Sequence, residues 1–247
     1  MKEINYNVKT IFHVHSFRCK HAEMVSDEEY IKRSVELGAE DICFTDHIPF
    51  PGDEINMRMS YAQLSEYIDT LKKLKDKYNG IINVNIGLEA EYLPSFYDYY
   101  KELYNNPDID ILLLGQHLYE MSDGNYNYTL SKEEWHSSEM EGCGEAIIQA
   151  MKTGMFSVCA HPDRIFRYAG NWNEIMSELS ERIIRSAAEN NVVLEKNLSS
   201  FIYDGYFRPE FWKLVPKSQK VIIGLDAHKI TELDRFIDSE KYYECIF

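Results

Sequence analysis

A chain of 247 residues, 45% of them hydrophobic, can build one α/β barrel or two small domains, and nowhere offers the ~20-residue apolar run of a bilayer span. Its net charge of −15 leaves no basic stripe for long nucleic acid or an acidic membrane surface. Five scattered cysteines, Cys19, Cys43, Cys143, Cys159 and Cys245, contain no C-x-x-C pair, which excludes a zinc ribbon and argues against a disulfide framework.

The polar N-terminus lacks the apolar region of a signal peptide, so a cytoplasmic location is expected. The first predicted strand, Thr10–Ser16, carries His13 and His15, which the period-two alternation of a strand places on one face. Arg18, Cys19, Lys20 and His21 follow. Cys19 could approach a metal there, but reads as a bystander because the histidines already supply ligands. Ser26 and Glu29 have the spacing of a capping box for a helix running through Tyr30, Val35 and Leu37 to a stop at Gly38. Strand Asp41–Thr45 leads into Asp46 and His47. Ser60 and Gln63 open a second helix with Leu64, Ile68, Leu71 and Leu74 on one face. Strand Ile81–Glu89 ends at Glu89, with Glu91 two residues on. Strand Ile109–Gly115 precedes Gln116 and His117.

Ser131 to Glu134 opens a third helix, which the glycines at 142 and 144 are expected to break; His136, beside Trp135, reads as a surface residue. Strand Phe156–Ala160 leads to His161, Pro162, Asp163, Arg164 and Arg167. A helix from about Asn173 to Asn190 carries Ile175, Leu179, Ile183 and Ala187. Strand Val192–Asn197 contains Glu195 and Lys196. Strand Lys220–Leu225 leads to Asp226, Ala227 and His228. Cys43 and Cys159, inside apolar strands, read as buried thiols.

Seven strand-then-helix units without repeat or linker predict a parallel sheet in one domain over residues 1–247. In parallel α/β folds ligands bind at the carboxyl ends of strands, where these motifs fall. Motifs after all seven strands converge more naturally if the sheet closes, so a distorted seven-stranded barrel is expected. Neutral imidazole and carboxylate are ligands of zinc, manganese and iron, and a multinuclear site of this kind points to a hydrolase.

The set H-x-H, H-A, D-H, G-x-E-x-E-Y, G-x-H, H-P-D and D-A-H resembles the PHP (polymerase and histidinol phosphatase) metallophosphoesterases. The segments HVHSFRCKHA, FTDHIPFP, GLEAEYL, CAHPDRI and IGLDAHK carry the likeness, which runs from His13 to His228. Within that superfamily the chain looks closest to PHP-type histidinol-phosphatases. The resemblance implies a distorted (β/α)7 TIM-like barrel and two to three divalent transition-metal ions, Zn, Mn or Fe. It implies that His13, His15, Glu89 and Asp226 hold one ion, that Glu89 bridges to a second held by His117 and His161, and that His21, His47 and His228 hold a third. Glu91 and Asp46 look like groups that orient the imidazoles, with a solvated strand end as the other reading of Glu91.

The expected reaction is hydrolysis of a small phosphate monoester, L-histidinol phosphate first, with Glu89, Asp226, His161, Arg164 and Arg167 as its catalytic set. Arg164 and Arg167 read as phosphate clamps or as an exposed helix start. Asp163 and a metal-bound water are the candidates for protonating the leaving group. Lys20, Lys229, Arg18 and Lys196 add local positive charge or face solvent. Tyr126, Tyr128, Tyr168, Phe201, Tyr203 and Tyr206 wall a pocket or pack a rim. The expected partner is a small phosphorylated metabolite, with no membrane and no long nucleic acid; the sequence sets no oligomeric state. Other readings are a PHP phosphoesterase for another metabolite, nucleotide or oligonucleotide, and a non-enzymatic metal-binding scaffold. The sixth strand departs from the histidinol-phosphatase pattern: after Leu194 and Glu195 the chain has Lys196 inside the strand, lacks the usual glycine, and replaces the following basic residue by apolar ones.

Overall fold

A computed structural model describes residues 6–128, 137–202 and 206–239. In chain order its elements are β1 (Thr10–Val14), α1 (Asp27–Glu36), β2 (Asp41–His47), α2 (Leu64–Lys77), β3 (Asn83–Ala90), α3 (Tyr97–Asn105), β4 (Ile111–Leu114), β5 (Leu118–Glu120), β6 (Tyr126–Tyr128), α4 (Ser137–Lys152), β7 (Val158–Cys159), α5 (Glu174–Glu189), β8 (Val193–Asn197), α6 (Pro209–Leu214) and β9 (Val221–Gly224). Seven strands form one sheet in the order β1-β2-β3-β4-β7-β8-β9, and β5 and β6 form a separate antiparallel hairpin. The paired registers of the large sheet are parallel, and the fold class is the expected distorted (β/α)7 barrel. All seven predicted strands are present, and α3 is the helix expected after the third of them; the hairpin is an addition. Among the described residues no helix is long and apolar enough to cross a membrane.

The chain divides into two compact units, interleaved in sequence. The first comprises the described residues up to Glu89, Leu103–Leu112 and those from Ile223 onward. Within it β2 and β3 run in unbroken register from Asp41 opposite Asn83 to His47 opposite Glu89. That register alone makes His47 and Glu89 neighbours. Between β1 and β2 the register slips: three steps along β1 (Ile11 to Val14) match two along β2 (Ile42 to Phe44), which leaves one extra residue in β1. The slip coincides with His13 in the left-handed region, at φ 66°. Simple alternation therefore does not place His13 beside His15; a bulge re-aims it. Beyond β9 the chain returns to β1: the Leu225 and Ala227 amides donate to Phe12 O and His13 O, and the His15 amide donates to Ala227 O, at 2.9–3.0 Å.

The second unit comprises Ala90–Glu102 and Leu113–Ile222. Here β4, β7 and β8 pair in parallel, Leu114 opposite Cys159 and Cys159 opposite Leu194. Helix α4 passes through Gly142 and Gly144 unbroken, against expectation. Close packing explains both glycines: an added Cβ would stand 2.4 Å from the Tyr119 ring at position 142 and 2.6 Å from Leu179 at position 144. Helix α5 is capped by Asn173, whose Oδ1 accepts from the Met176 amide at 3.1 Å. Its buried stripe includes Met176, Leu179, Ile183 and Ala187, and Ile175 falls outside it, 54% exposed.

Two further expectations concern helix starts. Gln63 accepts from the Ser60 amide as predicted. Ser26 makes no side-chain cap, and Glu29 pairs with Lys32 instead. Three acids in the first turn of α1 already favour the positive end of its dipole. The start at Ser131–Glu134, Trp135, His136, Tyr203, Cys245 and the Tyr128 side chain lie outside the described residues.

Candidate metal centre

Seven of the nine predicted ligands, His13, His15, His21, His47, Glu89, Asp226 and His228, belong to the first unit. Glu89 Oε2 lies 3.0 Å from His47 Nδ1 and 3.6 Å from both His13 Nε2 and His15 Nε2. Asp226 Oδ1 lies 3.3 Å from His15 Nε2, 3.7 Å from His13 Nε2 and 3.5 Å from His228 Nδ1. His13 Nε2 and His15 Nε2 face each other at 3.0 Å, and His228 Nε2 and His21 Nε2 at 2.9 Å. The His15 and His228 rings stack at 4.1 Å. His13, His15 and Glu89 are fully buried or nearly so.

These separations are those of a shared ion. Two donors each about 2.0–2.1 Å from one tetrahedral ion lie about 3.3 Å apart. The ligand atoms of His13, His15 and Asp226 lie within 4.8 Å of one another, as do those of His15, His47 and His228. The donor set of imidazole nitrogen and carboxylate oxygen therefore fits a divalent transition metal. Cys19 is buried, and its sulfur lies within 4.8 Å of ligand atoms of His21 and His228. Burial, followed by the charge of Asp46, pushes its thiol up to about 12.

The electrostatics agree. Burial lowers the pKa of His15, yet Asp226 and Asp46, with Glu89, outweigh that and raise it to about 9. Those carboxylates favour positive charge at this position, which a bound cation would supply. Burial, then the neighbouring His15, drives His228 down to about 2 and lowers His21 as well. Neutral imidazoles are the form that binds metal.

Backbone strain marks the same residues. His13, Asp226 and His161 have φ of 66°, 51° and 32°, a region that non-glycine residues enter at a cost. Three predicted ligands held this way show that neighbouring structure fixes their direction.

In the second unit, His117 Nδ1 meets Glu91 Oε1 at 3.0 Å, so Glu91 is a buried partner that fixes the His117 ring rather than a solvated strand end. The His117 and His161 ring centroids lie 5.0 Å apart. Arg164 Nη2 donates to Asn197 Oδ1, Ser199 Oγ and Ser200 Oγ at 3.2–3.3 Å. Arg167 is buried over the Tyr168 and Tyr206 rings, at 5.0 and 5.2 Å; burial lowers its pKa. Neither arginine is an exposed helix start. Asp163 is buried and accepts from Trp212 Nε1 and the Arg208 amide, which anchor the segment entering α6. Lys196 is buried, its Nζ 5.6–6.0 Å from the Phe201, Phe207 and Trp212 rings. Lys20 and Lys229 are exposed.

Arg18 does not face the cluster as local positive charge. It is buried and ion-paired to Asp27 and Glu66. Those two acids, and Ser16 beside His15, are missing from the predicted set. Their spacing from the histidine motifs follows no strand or helix period; a buried arginine's need for carboxylates was the available signal.

Comparison with known proteins adds an independent line. The family model "PHP domain" matches residues 12–199. The chain is 25% identical to a histidinol-phosphatase of Bacillus subtilis, over 88% of this chain and 92% of the other. It is 24% identical to a "probable phosphatase" of Shewanella piezotolerans, over 95% and 83%. Among solved structures, it resembles a histidinol phosphate phosphatase of Lactococcus lactis in complex with zinc, L-histidinol and phosphate: TM-score 0.66, 19% identity, covering 93% of this chain and 92% of that one.

Proposed function

The chain belongs to the PHP domain family, and from that membership we propose that it hydrolyses small phosphate monoesters at a centre of two to three divalent transition-metal ions, with L-histidinol phosphate the first candidate substrate. The observation that carries this reading is the packing of His13, His15, His47, Glu89 and Asp226 at donor separations of 3.0–3.7 Å.

His13, His15, Glu89 and Asp226 would hold one ion, His21, His47 and His228 another, with His15 close enough to join them. His117 and His161 would hold the third. Such ions lower the pKa of bound water and neutralise phosphate charge, which is the chemistry of metal-assisted hydrolysis. The protein's own groups do the rest. Glu91 fixes the His117 ring, and the bulge in β1 aims His13. Arg164, oriented by Asn197, Ser199 and Ser200, presents a guanidinium that can take two phosphate oxygens at once. Arg167 keeps its charge against two tyrosine faces, ready for the same oxygens.

Histidinol phosphate is favoured by the histidinol-phosphatase relatives and by the ligand of the Lactococcus structure. Another small monoester is the second reading, favoured by Lys196, which stands in β8 where the histidinol-phosphatase pattern has an apolar residue. A panel of small monoesters, sugar phosphates and single-stranded DNA, assayed with metal content measured in parallel, tests both. Histidinol phosphate as the best substrate supports the first; DNA digestion at the rate of the best monoester contradicts both.

A further inference from the structure

Behind His15 runs a line of buried polar groups that the metal ligands do not account for. His15 turns Nε2 toward His13 and Asp226, while its Nδ1 is buried, makes no hydrogen bond, and lies 3.7 Å from Asp46 Oδ1. Asp46 is fully buried; its Oδ1 accepts from the His47 amide at 2.8 Å, and its Oδ2 accepts a short bond from the Ser16 hydroxyl. Ser16, also fully buried, accepts in turn from Arg18 Nη1 at 3.2 Å. The same Nη1 lies 2.8 and 3.0 Å from the two Asp27 oxygens. Arg18 Nε and Nη2 grip both oxygens of Glu66, at 2.8 and 2.9 Å. Arg18 also sits over the Phe17 ring, 4.5 Å from its centroid.

From this arrangement we infer that Ser16 and Arg18 are positioning residues for the metal centre: Arg18 fixes the Ser16 hydroxyl, Ser16 fixes Asp46, and the Asp46 carboxylate, 3.7 Å from His15 Nδ1, attracts that side of the ring so that Nε2 is aimed at the ion. The inference rests on the metal-centre reading above. Its physical basis is the dependence of a ligating imidazole on the group behind it, which sets its orientation and basicity. A buried carboxylate can do this only while its own oxygens are held, and here one is held by a hydroxyl that itself answers to a guanidinium. Two carboxylates clamp that guanidinium on three nitrogens, so it has little freedom to move. The role requires no contact with substrate. Its effect is on how tightly and in what direction His15 offers its nitrogen.

The test is metal affinity, read by chelator competition with zinc and with manganese on chelator-stripped protein, beside the melting temperature of the stripped protein. Ser16→Ala removes the hydroxyl and little volume. It should weaken metal binding about 10- to 100-fold, the scale for loss of a group behind a ligand. The stripped protein's melting temperature should hardly change, and Ser16→Thr, which restores a hydroxyl, should recover most of the affinity. Arg18→Lys keeps a charge against Asp27 but loses the fork; it should weaken binding in the same direction and serves as the second probe if Ser16→Ala folds poorly. Wild-type affinity in folded Ser16→Ala, or in folded Arg18→Lys, overturns the inference while leaving the metal centre standing. Failure of the wild-type protein itself to bind either ion overturns the metal-centre reading instead.

Discussion

Glu89 stands within 3.0–3.6 Å of three imidazoles, and its carboxylate charge is what a shared ion would neutralise. An amide has the same shape and no charge. Glu89→Gln should therefore cut kcat/KM by about a thousandfold or more with the fold preserved, as loss of metal-based activation does. Steady-state kinetics with circular dichroism checks this; activity within tenfold of the parent removes Glu89 from the centre. Arg164 and Arg167 are a separate case, because the proposed function assigns them to phosphate rather than metal. Changing either clamp to Ala should lower kcat/KM by roughly ten- to a thousandfold, the scale of one charged transition-state contact, with metal content unchanged. Near-parental kinetics in both variants would make them packing residues for Tyr168 and Tyr206.

Strand β3 brings Glu89 to the centre, and Gly87 sets how closely it can approach its neighbours. A Cβ there would stand 2.3 Å from Ile111 Cγ2 and 2.9 Å from the Phe44 carbonyl oxygen. The carbonyl belongs to β2 and cannot swing away, so Gly87→Ala should cost about 1–3 kcal/mol of stability and loosen metal binding with it. Chemical denaturation against the parent measures the cost; equal stability would show that β2 and β3 tolerate the gap. Asp163 acts on the segment before α6 in a pH-dependent way. Burial raises its pKa from the ordinary carboxylate value to about 6, opposed by its bonds from Arg208 and Trp212. A raised folded value means that its protonated form suits the fold: the contribution is full below about pH 4 and lost as pH rises through about 6. Asn accepts the same two bonds without charge. The melting temperature of metal-free Asp163→Asn, relative to the parent, should accordingly rise between pH 4.5 and 7.5; a flat difference contradicts this. At this scale the sequence was most readable where hydrophobic periodicity and caps rule. The seven strands of the sheet, α2 and α5 follow from apolar runs and from Ser60 and Asn173. The bulge at His13 and the unbroken passage of α4 through two glycines do not, since they arise from contacts with elements distant in sequence; the hairpin after His117 is local, and its signal was the Asp123-Gly124 turn between Leu118–Glu120 and Tyr126–Tyr128.

The whole molecule repeats one pattern: short buried strands end in residues that no core requires. That is why the candidate ligands stand out in the sequence, as His, Asp and Glu at strand exits are poor packing choices and good ligands. The groups behind the ligands were legible only in part. Glu91 and Asp46 sit inside the motifs, whereas Ser16 is ordinary beside a histidine, and Arg18, Asp27 and Glu66 meet only once α1 and α2 have packed. The net charge of −15 gives the molecule a repulsive field for polynucleotides, so an anionic substrate must be small enough to be governed by the local charge of the centre. All of this depends on a metal centre that performs the hydrolysis. The deciding measurement is phosphate release from the best monoester substrate as zinc, manganese or iron is returned, equivalent by equivalent, to chelator-stripped protein. The predicted result is no release from the stripped protein and a rate that climbs to a plateau at two to three equivalents of ion per chain. Full release from the stripped protein, with no response to any of the three metals, would contradict it.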